Sequence, residues 1–163
     1  MSSSDRRAFL TIAALALAGC GFTPALGPDG SAEALRGSIA FDEPADLEGF
    51  ELVRALEARL GLPEAARYRL GADIRISDEG VGILPDQTIT RFNVLGRVDY
   101  RLTEIASGAT VASGQMTNFT SYSATSTTVA TTSAQRDARD RLMVALADQI
   151  VKELLLAARD LPA

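Results

Sequence analysis

Between Tyr68 and Ser77 the chain alternates strictly, with Tyr68, Leu70, Ala72, Ile74 and Ile76 set against Arg69, Gly71, Asp73, Arg75 and Ser77. A period of two predicts a strand with one buried face. Asp78-Glu79-Gly80 reads as a turn or bulge, Val81 to Leu84 as an extension of the strand, and Pro85-Asp86 as a second turn. The same alternation returns in Phe92, Val94, Gly96, Val98, Tyr100 and Leu102 and predicts a strand from about Thr88 to Glu104. Ser107-Gly108 predicts a hairpin. A further strand follows from about Thr110 to Tyr122, with no clear apolar face because Thr and small residues dominate it. A short first strand, with Ile39 and Phe41 in alternation, is expected within Leu35 to Asp42 and ends at Glu43-Pro44.

Two stretches carry the helical period instead. Leu47, Phe50, Val53, Leu56 and Leu60 recur every three or four residues and predict one apolar stripe. Asp46 is placed to cap that helix, Gly61 sits where the helix should end, and Pro63 blocks continuation. Ala138, Leu142, Ala145, Leu146, Gln149, Ile150 and Leu154 describe a second helix from about Ser133 to Ala158. The Ser/Thr/Ala tract before it, 123–133, reads as a flexible link, although β-branched Thr also permits strand. The order is strand, helix, three-strand meander, helix. This predicts an α+β two-layer sandwich, with both helices on one face of a roughly four-stranded sheet.

Composition narrows the function. Of 163 residues, 47% are hydrophobic and 23% charged, which is ordinary globular usage. The net charge of −5 argues against nucleic acid, whose phosphates need a surplus of Lys and Arg. With no histidine and one cysteine, no Ser-His-Asp or Cys-His arrangement, no His/Cys zinc site and no internal disulfide can be built. Paired carboxylates for a hydrolase are not marked, so no enzyme is expected and no cofactor either.

The one cysteine stands in Leu17-Ala18-Gly19-Cys20, after basic Arg6-Arg7 and the apolar run Ala8 to Ala18. At 11 residues the run is too short to span a bilayer as a helix. Together these features read as a lipoprotein signal: residues 1–19 are removed, and Cys20 carries a diacylglycerol and an N-acyl chain. Arg6-Arg7-Ala8-Phe9-Leu10 also resembles a twin-arginine export signal, so the export route stays open. Residues 20–34, rich in Gly, Pro and small side chains, form a tether, and 35–161 a single domain. Removal of Asp5, Arg6 and Arg7 makes the mature net charge −6.

Arg69, Arg75, Arg91, Arg97 and Arg101 all fall on the polar side of the two alternating strands, with Asp73 and Asp99 between them. Five arginines on one face of an acidic protein make a candidate anion site, since guanidinium binds phosphate bidentately. Cross-strand Arg–Asp pairing on an ordinary wet face is the competing reading.

Several stretches resemble a known family. They are Cys20-Gly21-Phe22-Thr23-Pro24 at the lipobox, Thr90-Arg91-Phe92, Phe119 to Ser123, and Arg136-Asp137-Ala138 leading to Leu146-Ala147-Asp148-Gln149-Ile150. With the element order, they resemble the LptE family of lipopolysaccharide-assembly lipoproteins in its alphaproteobacterial form. The tract 123–133 departs from the more mixed, aromatic-containing sequence expected there. The resemblance implies a protein of the outer membrane, lipid-anchored and facing the periplasm. It would plug and help assemble the LptD β-barrel and bind lipopolysaccharide on its way to the outer leaflet. The alternative is a periplasmic auxiliary lipoprotein of an ABC-type lipid transport system.

Overall fold

A computed structural model describes residues 35–83, 89–124 and 127–158. The signal, Cys20 and its tether, the Pro85-Asp86 turn and the last residues of the chain lie outside them. Six elements follow in order: β1 (Ile39–Phe41), α1 (Leu47–Leu60), β2 (Tyr68–Ile83), β3 (Ile89–Glu104), β4 (Thr110–Ser123) and α2 (Thr128–Ala157). The sheet has the order β1-β2-β3-β4. β1 runs parallel to β2, as expected for strands joined through a helix, and β2, β3 and β4 form an antiparallel meander. Both helices lie on one face. Val94, Val98, Leu102, Leu142, Leu146, Ile150 and Leu154 are fully buried between the layers.

The differences from the sequence reading have physical causes. The first strand shrinks to three residues, because Gly37 takes φ 67° and turns the chain between Leu35 and Ile39. Asp78-Glu79-Gly80 does not turn. It stays in β2, paired with Val94, Asn93 and Phe92, and the irregularity falls after Gly80. The tract 123–133 is largely helical: α2 begins at Thr128, where the Thr127 side chain accepts a hydrogen bond from the Ala130 N–H. The Thr131 and Thr132 hydroxyls bond the carbonyls one turn back, so the polar Thr run is satisfied inside a helix.

The helical faces also rotate. In α1 the buried positions are Gly49, Leu52, Ala55, Leu56 and Leu60, whereas Leu47 and Phe50 are 60% and 54% exposed. In α2, Met143 and Ala147 are buried while Ala145 and Gln149 are only partly so. α2 packs against β3, β4 and α1 together, which buries a wider sector than one apolar stripe. α1 leans chiefly on α2 and barely touches β2, so its register is set by its neighbour helix.

A candidate anion-binding face on the open side of the sheet

Alternation places Arg69, Gly71, Asp73, Arg75, Ser77 and Glu79 of β2 on the side away from the helices. Arg91, Asn93, Leu95, Arg97, Asp99 and Arg101 of β3 lie beside them. β4 adds Ser113, Gln115, Thr117, Phe119, Ser121 and Ser123. All five candidate arginines therefore share one face. Glu79, read as a turn residue from sequence, joins Asp73 and Asp99 as a third acid there.

The five do not converge. Arg91 and Arg101 are ten residues apart on one strand, a span of roughly 33 Å. The register sets Arg75 directly opposite Arg97, with Thr117 beyond, and one step along it sets Asp73 opposite Asp99, with Gln115 beyond. Like charges directly opposite repel, and each pair relieves the other. Arg75 Nε lies 3.2 Å from Asp73, and Arg75 Nη1 lies 4.0 Å from Asp99. Arg97 Nε donates to Asp99 at 3.1 Å, and Gln115 donates to the same carboxylate at 2.9 Å. The Arg97 hydrogen bonds hold the Asp99 carboxyl below its ordinary value, and Gln115 and Arg75 push the same way against partial desolvation. Arg69 comes within 4.0 Å of Asp42. Among the described residues Arg91 and Arg101 have no ion pair.

The row after Arg75 and Arg97 is apolar. Leu95 faces Phe119, which is 62% exposed, with Ser77 on the other side. Two guanidinium groups thus border a half-buried leucine and an exposed phenylalanine on an open surface. That pairing suits a ligand with both an anionic group and an apolar body. The sequence reading missed Phe119 because β4 showed no clear face. The strand's odd positions could have been read outward only once its register with β3 was known.

Three of the stretches that suggested a family, Thr90-Arg91-Phe92, Phe119 to Ser123 and the one ending at Ala138, meet in the fold. Phe92 is the register partner of Tyr122, and their rings stack at 5.2 Å. The Thr120 hydroxyl donates to the Ala138 carbonyl at 2.8 Å, and Arg141 donates to the Ser121 carbonyl. These motifs fasten α2 to the β3–β4 pair. Among the described residues no group of three or more His, Cys, Asp or Glu side chains is placed to hold a metal ion.

Comparison with known proteins bears on the same region. A family model described as "LptE: Lipopolysaccharide-assembly" matches residues 38–154. Among curated proteins no match is found. Among solved structures, a candidate lipoprotein of Caulobacter crescentus superposes with a TM-score of 0.67 at 22% identity, covering 78% of this chain and 96% of that one. Rare lipoprotein B of Shewanella oneidensis gives a TM-score of 0.59 at 13% identity, covering 76% and 96%. A minor lipoprotein of Acinetobacter baumannii gives 0.51 at 19% identity, covering 76% and 91%. At these identities the structures establish a shared fold.

Proposed function

The chain belongs to the LptE lipopolysaccharide-assembly family, and from that premise we propose that it is an outer-membrane lipoprotein, anchored through Cys20, that plugs and helps assemble an LptD-like β-barrel and binds lipopolysaccharide on its way to the outer leaflet. The observation that carries the ligand half of this reading is the juxtaposition of Arg75 and Arg97 with Leu95 and Phe119. An arriving phosphate would compete with Asp73 and Asp99 for the two guanidinium groups, and an acyl chain would lie on the apolar row. The signal ending at Cys20 supports the anchor, and the sheet face left uncovered by the helices gives a barrel wall something to meet.

Two experiments test this. A tagged full-length chain, purified from detergent-solubilised envelopes, should recover a large outer-membrane β-barrel in stoichiometric amount. Recovery of an inner-membrane permease or ATPase instead would favour the transport-auxiliary reading and reject this one. For the ligand, the double change Arg75→Glu and Arg97→Glu should weaken lipopolysaccharide binding by about tenfold or more, the value of losing one charge-assisted contact or more. Arg91→Glu, roughly 20 Å along the strand, should weaken it far less. Equal binding by all three proteins, with unchanged melting, would remove the arginine site.

Replacement of Cys20 by Ala should leave a chain that metabolic labelling with radioactive palmitate no longer marks. A labelled variant would mean that the anchor lies elsewhere.

A further inference from the structure

The open face of the sheet continues past its acid row. Beyond Asp73 and Asp99, the register sets Gly71 of β2 opposite Arg101 of β3, with Ser113 of β4 on the other side. Arg101 is exposed, and among the described residues it has no ion pair. Gly71 places no side chain beside it, and Ser113 places a small one. The surface dips there into a shallow hollow bordered by Asp73, Asp99, Arg101, Ser113 and Gln115. Asp42, already beside Arg69, stands at its outer edge. A second hollow adjoins it, where Leu95 and Phe119 lie next to Arg75 and Arg97.

The polar groups around the first hollow have capacity to spare. An ionised carboxylate offers about four acceptor positions. Asp73 has one ion-pair partner, Arg75 at 3.2 Å, and its side chain is 65% exposed. The Ser113 hydroxyl is exposed and is able to donate or accept. Same-side residues of a strand recur about every 6.7 Å. Along β3 the face therefore carries, in fixed order, the apolar row of Leu95, the cation row of Arg97, the acceptor row of Asp99 and the unpaired Arg101. Leu95 and Arg101 are roughly 20 Å apart.

We propose that the hollow at Gly71 and Arg101 is a sugar subsite. It takes a hydroxyl-rich sugar bearing an anionic substituent, with Arg101 on the anion and Asp73 and Ser113 on the hydroxyls. The inference rests on the lipopolysaccharide reading and gives that ligand a direction: acyl chain over Leu95 and Phe119, sugar towards Gly71. The acid row supplies the selectivity. A continuous polyanion would meet Asp73 and Asp99 between the two sets of cations and be repelled. Sugar hydroxyls donate to those carboxylates and cross the row without penalty. A phosphorylated lipid without sugar would end at Arg97 and leave the hollow empty. Phosphate and carboxylate substituents both match the Arg101 guanidinium.

The test uses the full-length chain in detergent micelles and three probes: intact lipopolysaccharide, its deacylated oligosaccharide, and dodecyl phosphate. Arg101→Gln should weaken the first two by about tenfold or more and leave dodecyl phosphate within about twofold. Gly71→Val fills the hollow and should do the same, with the melting temperature retained. Phe119→Ser should show the reverse, weakening dodecyl phosphate and sparing the oligosaccharide. Glucose 6-phosphate or glucuronate should displace the oligosaccharide, according to which anion Arg101 prefers, and glucose should not. Lipopolysaccharide spin-labelled on an acyl chain should broaden the Leu95 and Phe119 amide signals and spare those of Gly71 and Ser113. Equal loss of all three probes in Arg101→Gln would reduce the hollow to part of a general anion face and overturn the proposal. Broadening at Gly71 and Ser113 instead would overturn it too. If dodecyl phosphate and lipopolysaccharide both bind and Gly71→Val changes neither, the sugar subsite alone falls. If the wild-type protein binds none of the probes, the lipopolysaccharide reading falls with it.

Discussion

Gly96→Val is expected to destabilise the protein by about 3 kcal/mol, at the upper end of the cost of forcing extra carbons into a packed core. On intrinsic strand preference alone the change should help, because valine favours strands and glycine does not. Packing reverses the sign. A Cβ built at Gly96 would lie 2.8 Å from Leu142 Cδ2 and 3.0 Å from Leu146 Cδ1. Both leucines are fully buried in α2 and have nowhere to move. Gly96 therefore sets how closely α2 approaches β3. Urea unfolding should show the loss, and the melting temperature should fall by roughly 10 °C. Gly71→Val is the internal control. Its Cβ would meet only Asp42 Oδ2 at 2.6 Å, on a side chain that is 55% exposed and free to swing. That change should stay within about 0.5 kcal/mol of wild type. Combining Gly96→Val with Leu142→Ala should cost less than the sum of the two, by about 1 kcal/mol or more, because one substitution makes room for the other. Strict additivity would mean that the helix does not rest on Gly96.

Arg139→Met is expected to cost about 2 kcal/mol, within the range for hydrogen bonds to charged groups. Arg139 on α2 donates to Glu48 on α1 at 2.9 Å and to Asp78 on β2 at 2.8 Å, so one side chain ties three elements together. Gln135 adds a bond to the same Asp78 oxygen at 3.0 Å. The Asp78 hydrogen bond, opposed by partial burial and aided by Glu48, raises the Arg139 pKa, and the guanidinium stays charged throughout the accessible range. The Glu48 and Asp78 side chains are 21% and 25% exposed, so losing the cation leaves two partly desolvated carboxylates without a counterion. Methionine keeps most of the packing of the arginine stem, which isolates the polar loss. A double-mutant cycle with Asp78→Asn should give a coupling of about 1–2 kcal/mol. Arg141→Met breaks an exposed pair with Asp137 one helical turn away and an exposed 3.3 Å hydrogen bond to the Ser121 carbonyl, and should cost less than about 1 kcal/mol. Equal effects of Arg139→Met and Arg141→Met would show that the three-element bridge adds nothing.

The two sites differ in how far they could be read beforehand. Gly96 lies on the apolar side of an alternating strand, so its inward direction follows from period two alone. That a helix presses on it at that level does not. Asp78 was less legible: Asp-Glu-Gly reads as a turn or a bulge, and pairing with Val94, Asn93 and Phe92 keeps it in a strand whose irregularity begins only after Gly80. The five arginines were placed correctly on one face, because side-chain direction in a strand is a local property. Their grouping was not legible, since it depends on which residues of β2 and β3 stand opposite each other. Register put Arg75 against Arg97 and left Arg91 far along the strand.

Periodicity and end signals in the sequence determined the element types and their order, the inward and outward sides of β2 and β3, and the absence of histidine chemistry. These rest on geometry repeated within one segment, which a single chain displays. Tertiary structure alone decided the strand register, the rotation of both helical faces, the helical state of Thr128 to Ser133 and the hollow beside Arg101. Each of these depends on a surface contributed by a distant segment. α1 carries apolar residues on more than one side, and it was contact with α2 that buried Leu52 and Leu56 and left Leu47 and Phe50 in solvent.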